Sequence, residues 1–304
     1  MQTRREFLLL AAATGLGISA PRTFAAGKEP LFRISLAEWS LHRRLFDGKL
    51  DHLDFPALAR NEFGIEAVEY VNQFFMDKAT DKAYLAELKK RCDDHGVRSV
   101  LIMCDREGNL GDPDPAARTK AVENHYKWVE AAAYLGCHSI RVNAASSGSY
   151  QEQHDYAVDG LRRLSQFAAG HKLGVIVENH GGLSSNGGWL SSVLRNVGQP
   201  NIGSLPDFGN FRISQTEEYD RYQGVTEMMP FARGVSAKSY GFDAAGNETL
   251  IDYARMLRIV LAAGYHGHVG IEWEGNDPPD EAAGVRLTKA LLERLRDELA
   301  KEFG

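Results

Sequence analysis

Eight short strand-like runs recur along this chain, each followed by a longer amphipathic stretch, and this alternation constrains the fold more than any other feature. The runs are Phe32–Leu36, Ala67–Val71, Arg98–Met103, Ser139–Asn143, Val175–Glu178, Ile202–Leu205, Gly234–Lys238 and Val269–Glu272. Their starts recur every roughly 30–40 residues, about the length of one strand–loop–helix unit. Helices are expected over Lys82–His95, Ala116–Leu135, Tyr156–His171 and Leu250–Ala263, with a charged final helix from Asp280 to Gly304. Gly96, Gly136, Gly174 and Gly264 each stand shortly before the next run, where a left-handed helix cap is expected. Eight such units favour a closed, single-domain (β/α)8 barrel spanning residues 30–304 over an open doubly wound sheet. The first strand–helix turn reads Ala37-Glu38-Trp39-Ser40 and carries no glycine fingerprint, so a dinucleotide-binding fold has no support.

The N-terminus reads as an address rather than as part of the fold. Thr3-Arg4-Arg5-Glu6-Phe7-Leu8 resembles a twin-arginine export signal, and the apolar run Leu8–Ala20 is too short to span a bilayer. Pro21 and the small residues around Thr23-Phe24-Ala25-Ala26 suit a cleavage region, so residues 1–26 are expected to be removed. The mature protein is then expected to be periplasmic or extracytoplasmic, with no stable membrane anchor. Lys and Arg total 35 against 41 Asp and Glu, a formal net charge of -6. That balance lacks the basic surface needed to grip a polyphosphate backbone, so no nucleic-acid partner is expected. Cys92, Cys104 and Cys137 are odd in number and lack CxxC spacing, and they read as small core residues.

Barrels of this kind carry their chemistry where the strands end. The fifth run ends Val177-Glu178-Asn179-His180, and the sixth leads into Pro206-Asp207-Phe208-Gly209-Asn210. The seventh ends Ser236-Ala237-Lys238-Ser239 and the eighth Ile271-Glu272-Trp273-Glu274. Carboxylates converging on one mouth repel unless something neutralises them. A divalent cation held by Glu178, Asp207 and Glu272 is one solution, and oxygen ligands suit Mn²⁺ or Mg²⁺, with Zn²⁺ a further option. A metal-free network is the other, with Lys238 balancing one carboxylate and Arg141 another. His180, two residues after Glu178, points to the same side of an extended segment and is a second candidate for the chemistry. Arg141 and Asn143 share one face of the fourth run, suited either to substrate groups or, for Arg141, to an ion pair with Glu69 or Glu178. Glu69 is expected to point inward from the second run. The stretch Asp105–Asp112 lacks the closing glutamate of a calcium loop and reads as an ordinary connection. His42, His125, His266 and His268 read as structural.

On Val177-Glu178-Asn179, Pro206-Asp207-Phe208-Gly209-Asn210 and Ile271-Glu272-Trp273-Glu274-Gly275, the sequence resembles the xylose isomerase-like barrel superfamily. This is the sugar phosphate isomerase/epimerase group, which also includes apurinic endonucleases, and the resemblance covers most of the mature chain. It implies a metal held by a glutamate after strand five, an aspartate after strand six, a histidine on strand seven and a glutamate after strand eight. Glu178, Asp207 and Glu272 match three of these, whereas the strand-seven histidine is Ser236 here. The substrate-contacting histidine three residues after the aspartate is Asn210. Trp39, Tyr70, Phe208 and Trp273 are candidates for an apolar wall against a sugar ring.

The resemblance therefore implies a metal-dependent sugar isomerase or epimerase that abstracts a proton next to a carbonyl, through an enediolate-type charge. Glu178 and Glu272 are expected to shuttle protons, with Lys238 or His180 assisting at the carbonyl oxygen. Arg141, Asn143, Asn210, Glu69 and Trp39 are expected to bind the sugar or polyol. Two alternatives stand beside this reading: a lyase or hydrolase on 3-keto-glycosides using the same site, and a non-catalytic sugar-binding barrel. A homo-oligomer is compatible with all three.

Overall fold

The computed structural model describes residues 29–304, so the export segment expected at residues 1–26 lies outside the described residues. The strands are β1 (Arg33–Ala37), β2 (Ala67–Val71), β3 (Arg98–Met103), β4 (Ser139–Asn143), β5 (Gly174–Glu178), β6 (Ile202–Leu205), β7 (Val235–Ser239) and β8 (His268–Trp273). All neighbours pair in parallel, in the order β6-β5-β4-β3-β2-β1-β8-β7. The two ends of that order meet through bridges between Ser204 and Ala232 and between Asp207 and Ser236. There the Ser236 amide donates to the Pro206 carbonyl at 2.9 Å, and the Phe208 amide donates to the Ser236 carbonyl at 3.1 Å. The sheet is thus a (β/α)8 barrel as expected, and its last seam closes beside Asp207.

Helices cover the outside: α1 (His42–Phe46), α2 (Phe55–Phe63), α3 (Lys82–His95), α4 (Pro115–Leu135), α5 (Tyr150–Gly170), α6 (Gly187–Val197), α7 (Arg221–Met228), α8 (Tyr253–Ala262) and α9 (Glu281–Phe303). Side chains of successive strand residues alternate between the barrel interior and this helical layer. Ala37, Ala67, Val71, Leu101, Met103, Ile176 and Leu205 fill the interior, while a larger apolar cluster joins sheet to helices. Cys92, Cys104 and Cys137 are buried free thiols. Among the described residues no helix is long and apolar enough to cross a membrane.

Two local expectations need correction. The fifth helix starts at Tyr150, six residues before the expected Tyr156, because Ser149 and Glu152 form a reciprocal capping box; such caps stabilise a helix end by about 1 kcal/mol. Gly96, Gly136 and Gly264 adopt left-handed φ values of 63°, 82° and 77°, as caps should, but Gly174 does not. At that connection Lys172 takes the left-handed conformation (φ 57°) and Gly174 lies in β5, where a Cβ would come within 2.4 Å of the Ser139 hydroxyl. Gly174 is needed for close strand contact rather than for turning.

Candidate active site

The parity that buries Ile176, Leu205 and Gly234 inside the barrel sends Glu178, Asp207, Ser236 and Lys238 into its mouth. Glu178, Asp207 and Glu272 are all buried, and each offers a carboxylate oxygen within 4.8 Å of those of the other two. Asp207 is fixed on both sides. Its Oδ1 accepts the Gly209 and Asn210 amides, each at 2.8 Å, which turns Oδ2 toward Ser236 and Lys238. Asn179 clamps the same loop, accepting the Asp207 amide at 2.8 Å and donating to the Asp207 and Asn210 carbonyls, each at 3.0 Å. At Gly209 a Cβ would meet the Tyr240 hydroxyl at 2.4 Å, so a side chain there would displace Tyr240.

Two cations are threaded through these acids. The Lys238 ammonium lies 3.0 Å from Glu272 Oε1, 3.0 Å from Glu274 Oε2 and 3.9 Å from Asp207 Oδ2. Arg141 reaches Glu178 at 2.7 Å through Nε and Asp105 at 2.9 Å through Nη1. Asn143 donates to the same Asp105 oxygen at 2.8 Å. Arg141 therefore pairs with Glu178 and not with Glu69. Asn210 donates to Glu178 Oε1 at 2.9 Å and accepts from Lys238 at 3.5 Å, linking the two halves of the cluster.

Burial sets the electrostatics. It pushes the Glu178 carboxyl up to about 7 against the pull of Arg141, and Asp207 up to about 7 against that of Lys238. Burial acts on Glu272 as well, but Lys238, the Ser236 hydroxyl and Arg141 together hold it below the ordinary carboxylate range. Burial also works against the Lys238 ammonium. Asp207, Glu272 and Glu274 outweigh it and hold the lysine well above its ordinary value. Lys238 is therefore held as an ammonium among the carboxylates. The His180 imidazole is pushed below its ordinary value by burial and by Arg141 and Lys238. It stands at the exposed rim, its backbone amide donating to Ser184 Oγ at 3.0 Å.

Three observations show that the acids fit a divalent cation. Glu178 Oε2 is buried without a hydrogen bond, because the nearby Arg141 Nε–H is misaligned with it. The Ser236 hydroxyl lies 2.7 Å from Asp207 Oδ2 and 2.6 Å from Glu272 Oε2, yet it has one proton to give. Five carboxylates, those of Asp105, Glu178, Asp207, Glu272 and Glu274, face two fixed cations. Excess buried negative charge in an all-oxygen set is what hard divalent ions bind. Ser236 stands where the resemblance implies a histidine, and its hydroxyl occupies the gap between two of the carboxylates.

The remaining expectations divide. Trp39 reaches the mouth, its indole Nε1 donating to Glu274 Oε1 at 3.0 Å. Tyr70, Phe208 and Trp273 do not form a wall there. Each follows an inward carboxylate, so each faces the helical layer, bonded to Cys92 and Ser99, packed on Tyr253 and stacked on Phe242 respectively. Glu69 does face inward, its Oε1 accepting Ser35 Oγ at 2.6 Å, while the charges of Glu272, Glu178 and Arg141 still reach it. Burial, opposed by the Ser35 hydroxyl, pushes Glu69 up to about 7. Sequence reading missed Asp105, Glu274 and Asn179. Asp105 and Glu274 lie two residues beyond inward-facing Met103 and Glu272, a signal that alternation alone supplies.

Comparison with known proteins agrees with this architecture. The family model described as xylose isomerase-like TIM barrel matches residues 57–297. The 3'-dehydrocarminate deglycosidase alpha subunit of a Microbacterium species is 32% identical over 89 residues, 28% of this chain and 26% of that protein. The C-glycoside deglycosidase alpha subunit of Arthrobacter globiformis is 35% identical over 77 residues, 24% of this chain and 22% of that protein. The match thus spans about a quarter of each curated relative's length. Among solved structures, L-ribulose 3-epimerase superposes with TM-score 0.68 at 16% identity, covering 89% of this chain and 96% of that one. The 3-keto-D-glucoside 4-epimerase of E. coli gives TM-score 0.63 at 17% identity, covering 86% and 99%. A xylose isomerase-like TIM barrel protein from Mycobacterium smegmatis, solved in complex with magnesium, gives 0.65 at 15%, covering 88% and 98%. With the family model matched across most of its length, the chain belongs to the xylose isomerase-like TIM barrel family.

Proposed function

We propose that this protein is a metal-dependent sugar isomerase or epimerase that moves a proton at a carbon next to a carbonyl. The observation that carries the reading is the convergence of Glu178, Asp207 and Glu272 on one buried point with Lys238 beside it. Those three carboxylates would hold Mn²⁺ or Mg²⁺, with Zn²⁺ as a further option, and the cation would stabilise negative charge developing on the substrate oxygens. Glu178 and Glu272 are the groups placed to take and return the carbon-bound proton. Asn210 and Arg141 fix Glu178, and Ser236 and Lys238 fix Glu272, so each carboxylate keeps one orientation through the reaction. The Lys238 ammonium donates toward the carbonyl oxygen as its charge grows. Arg141 and Asn143 meet substrate hydroxyls, and His180 borders the entrance. The twin-arginine-like segment supports a place outside the cytoplasm and an unphosphorylated sugar as substrate.

The deglycosidase relatives favour a second reading, elimination from a 3-keto-glycoside. A base takes the proton on C2, that C–H pair becomes the C1–C2 double bond, and the bond from C1 to the aglycone breaks, C–O in an O-glycoside or C–C in a C-glycoside. The aglycone keeps the electron pair of that bond, takes a proton on its linking oxygen or carbon, and leaves. Both readings begin with the same proton abstraction. Incubation of the Mn²⁺-loaded protein in D₂O with ketoses and with 3-keto-glucosides tests it by NMR. Deuterium incorporation next to the carbonyl, lost in Glu272→Gln, is expected. Binding of these sugars with no exchange and no product would leave a non-catalytic sugar-binding barrel instead.

A further inference from the structure

One side of the mouth is apolar, and the proton chemistry makes no use of it. Phe46, at the end of α1, is 55% exposed. Its ring centroid lies 5.1 Å from that of Phe74 and 6.1 Å from that of Trp39, while Trp39 and Phe74 are 6.2 Å apart. Trp39 is also stacked on His42 at 4.7 Å. The three rings form one contiguous patch, of which Trp39 and Phe74 pack on the top of the barrel interior. Beside it, not touching Trp39, opens a cavity of about 440 Å³ whose walls join Phe46, Phe74, Leu50 and Tyr84 to Asp51 and His52.

This patch is wired to the acids. Trp39 Nε1 donates to one oxygen of Glu274, and the other oxygen of Glu274 lies 3.0 Å from Lys238. On the far edge Gln73 Nε2 donates to Asp105 at 3.3 Å, and Asp105 binds Arg141. A sugar ring lying on the carboxylates would therefore direct any substituent from its β1–β3 side onto the three rings. Exposing a phenylalanine to water is unfavourable, and flat aromatic faces are covered best by another flat apolar group.

We propose that Trp39, Phe46 and Phe74 form a subsite for an aromatic or similarly flat apolar substituent on the sugar, so that the substrates are aryl glycosides or their oxidised forms. The inference rests on the sugar reading above for the orientation of the ring, but the patch can be tested without turnover. Of the four tryptophans, Trp128, Trp189 and Trp273 are buried, so added ligands reach Trp39 alone.

The test titrates the full-length, Mn²⁺-loaded protein with 4-nitrophenyl β-D-glucopyranoside, methyl β-D-glucopyranoside and free 4-nitrophenol. Binding is read by equilibrium dialysis and by quenching of tryptophan emission. The aryl glucoside is expected to bind at least about tenfold more tightly than the methyl glucoside, in keeping with one stacked ring. Phe46→Ala, a change at an exposed position, should erase that ratio while leaving methyl glucoside binding unchanged. Equal affinity for both glucosides in the wild type would overturn the subsite. So would light scattering that shows Phe46→Asp splitting a dimer, because a second copy of the chain would then cover the patch. Binding of 4-nitrophenol that depends on Phe46, with neither glucoside bound more tightly than the phenol, would keep the patch and sink the sugar reading instead.

Discussion

The mouth and the floor of this barrel are lined by the same eight strands, yet their charges behave in opposite ways. At the floor, Arg33, Arg98 and His268 begin β1, β3 and β8 and line a cavity of about 460 Å³ together with Lys289 and Arg296. At the mouth, the ends of β5, β7 and β8 and the loop after β6 supply Glu178, Lys238, Glu272 and Asp207. The floor cavity also carries Glu66 and Glu293, so its charges are mixed and exposed, whereas the mouth hides its charges. The floor pair Arg33–Glu29 has side chains 54% and 79% exposed, whereas Arg141–Glu178 has 4% and 0%. Water screens the first pair so that it contributes almost nothing to stability. The second is desolvated and cannot be left unbalanced, since an unpaired buried charge costs several kcal/mol. Charge at the floor is a solvated surface, and charge at the mouth calls for a ligand.

Substitutions at the two ends should sharpen that contrast. The largest effect is expected from Lys238→Met, which removes the proposed proton donor and the counter-charge together. Turnover should fall by roughly 10²–10⁴-fold, the usual worth of a positioned acid–base group. Affinity for Mn²⁺ should hold or rise, because a cation that competes for the same oxygens is gone. A parallel loss of metal binding would show that Lys238 organises the ligands rather than the reaction.

Glu69 comes next, buried between the two ends and bonded to Ser35 alone. Its folded carboxyl titrates near 7 against an ordinary 4.5, so between those values the folded state holds a proton that the unfolded chain has released. Stability should therefore fall as pH rises through that window and level off above it, by up to about 3 kcal/mol from this group. Glu69→Gln should make the dependence shallower by this group's share, with Glu178 and Asp207 keeping theirs, leaving stability near pH 4 unchanged and raising it at pH 8. Urea unfolding at both pH values measures this, and an unchanged slope between them would contradict it.

The smallest change belongs to the floor. Arg98→Ala should shift stability by no more than about 0.5 kcal/mol and leave turnover unaltered, as expected of an exposed cation. A tenfold loss of activity would erase the distinction between the two ends. His268 is held near 4 by burial and by His138, Arg98 and Arg33, so removing Arg98 should raise its titration in NMR.

Much of this was legible in the sequence, and particular residues show where the reading stopped. The recurrence of strand and helix fixed the barrel topology, and the polar ends of the fifth, sixth and eighth runs exposed Glu178, Asp207 and Glu272. Tyr70, Phe208 and Trp273, candidates for an apolar wall, face the helices instead, each directly following an inward acid. Strand alternation already excluded them, and it also admitted Asp105 and Glu274. Trp39 obeys the same parity, two residues beyond inward-facing Ala37. What sequence does not carry is depth and convergence. Glu69 faces inward as expected, but its carboxylate is bonded to Ser35 beneath the carboxylate group. Lys238 keeps its proton only because carboxylates from three separate segments close around it, a sum that no single stretch of chain displays.

The most direct measurement is a calorimetric titration of Mn²⁺ into metal-stripped protein, wild type beside Glu272→Gln. Binding at one site per chain, weakened about a hundredfold or more in the variant, is the predicted result. Equal and negligible heats from both proteins would contradict the account, leaving Lys238 and Arg141 to balance the mouth as a metal-free salt-bridged cluster.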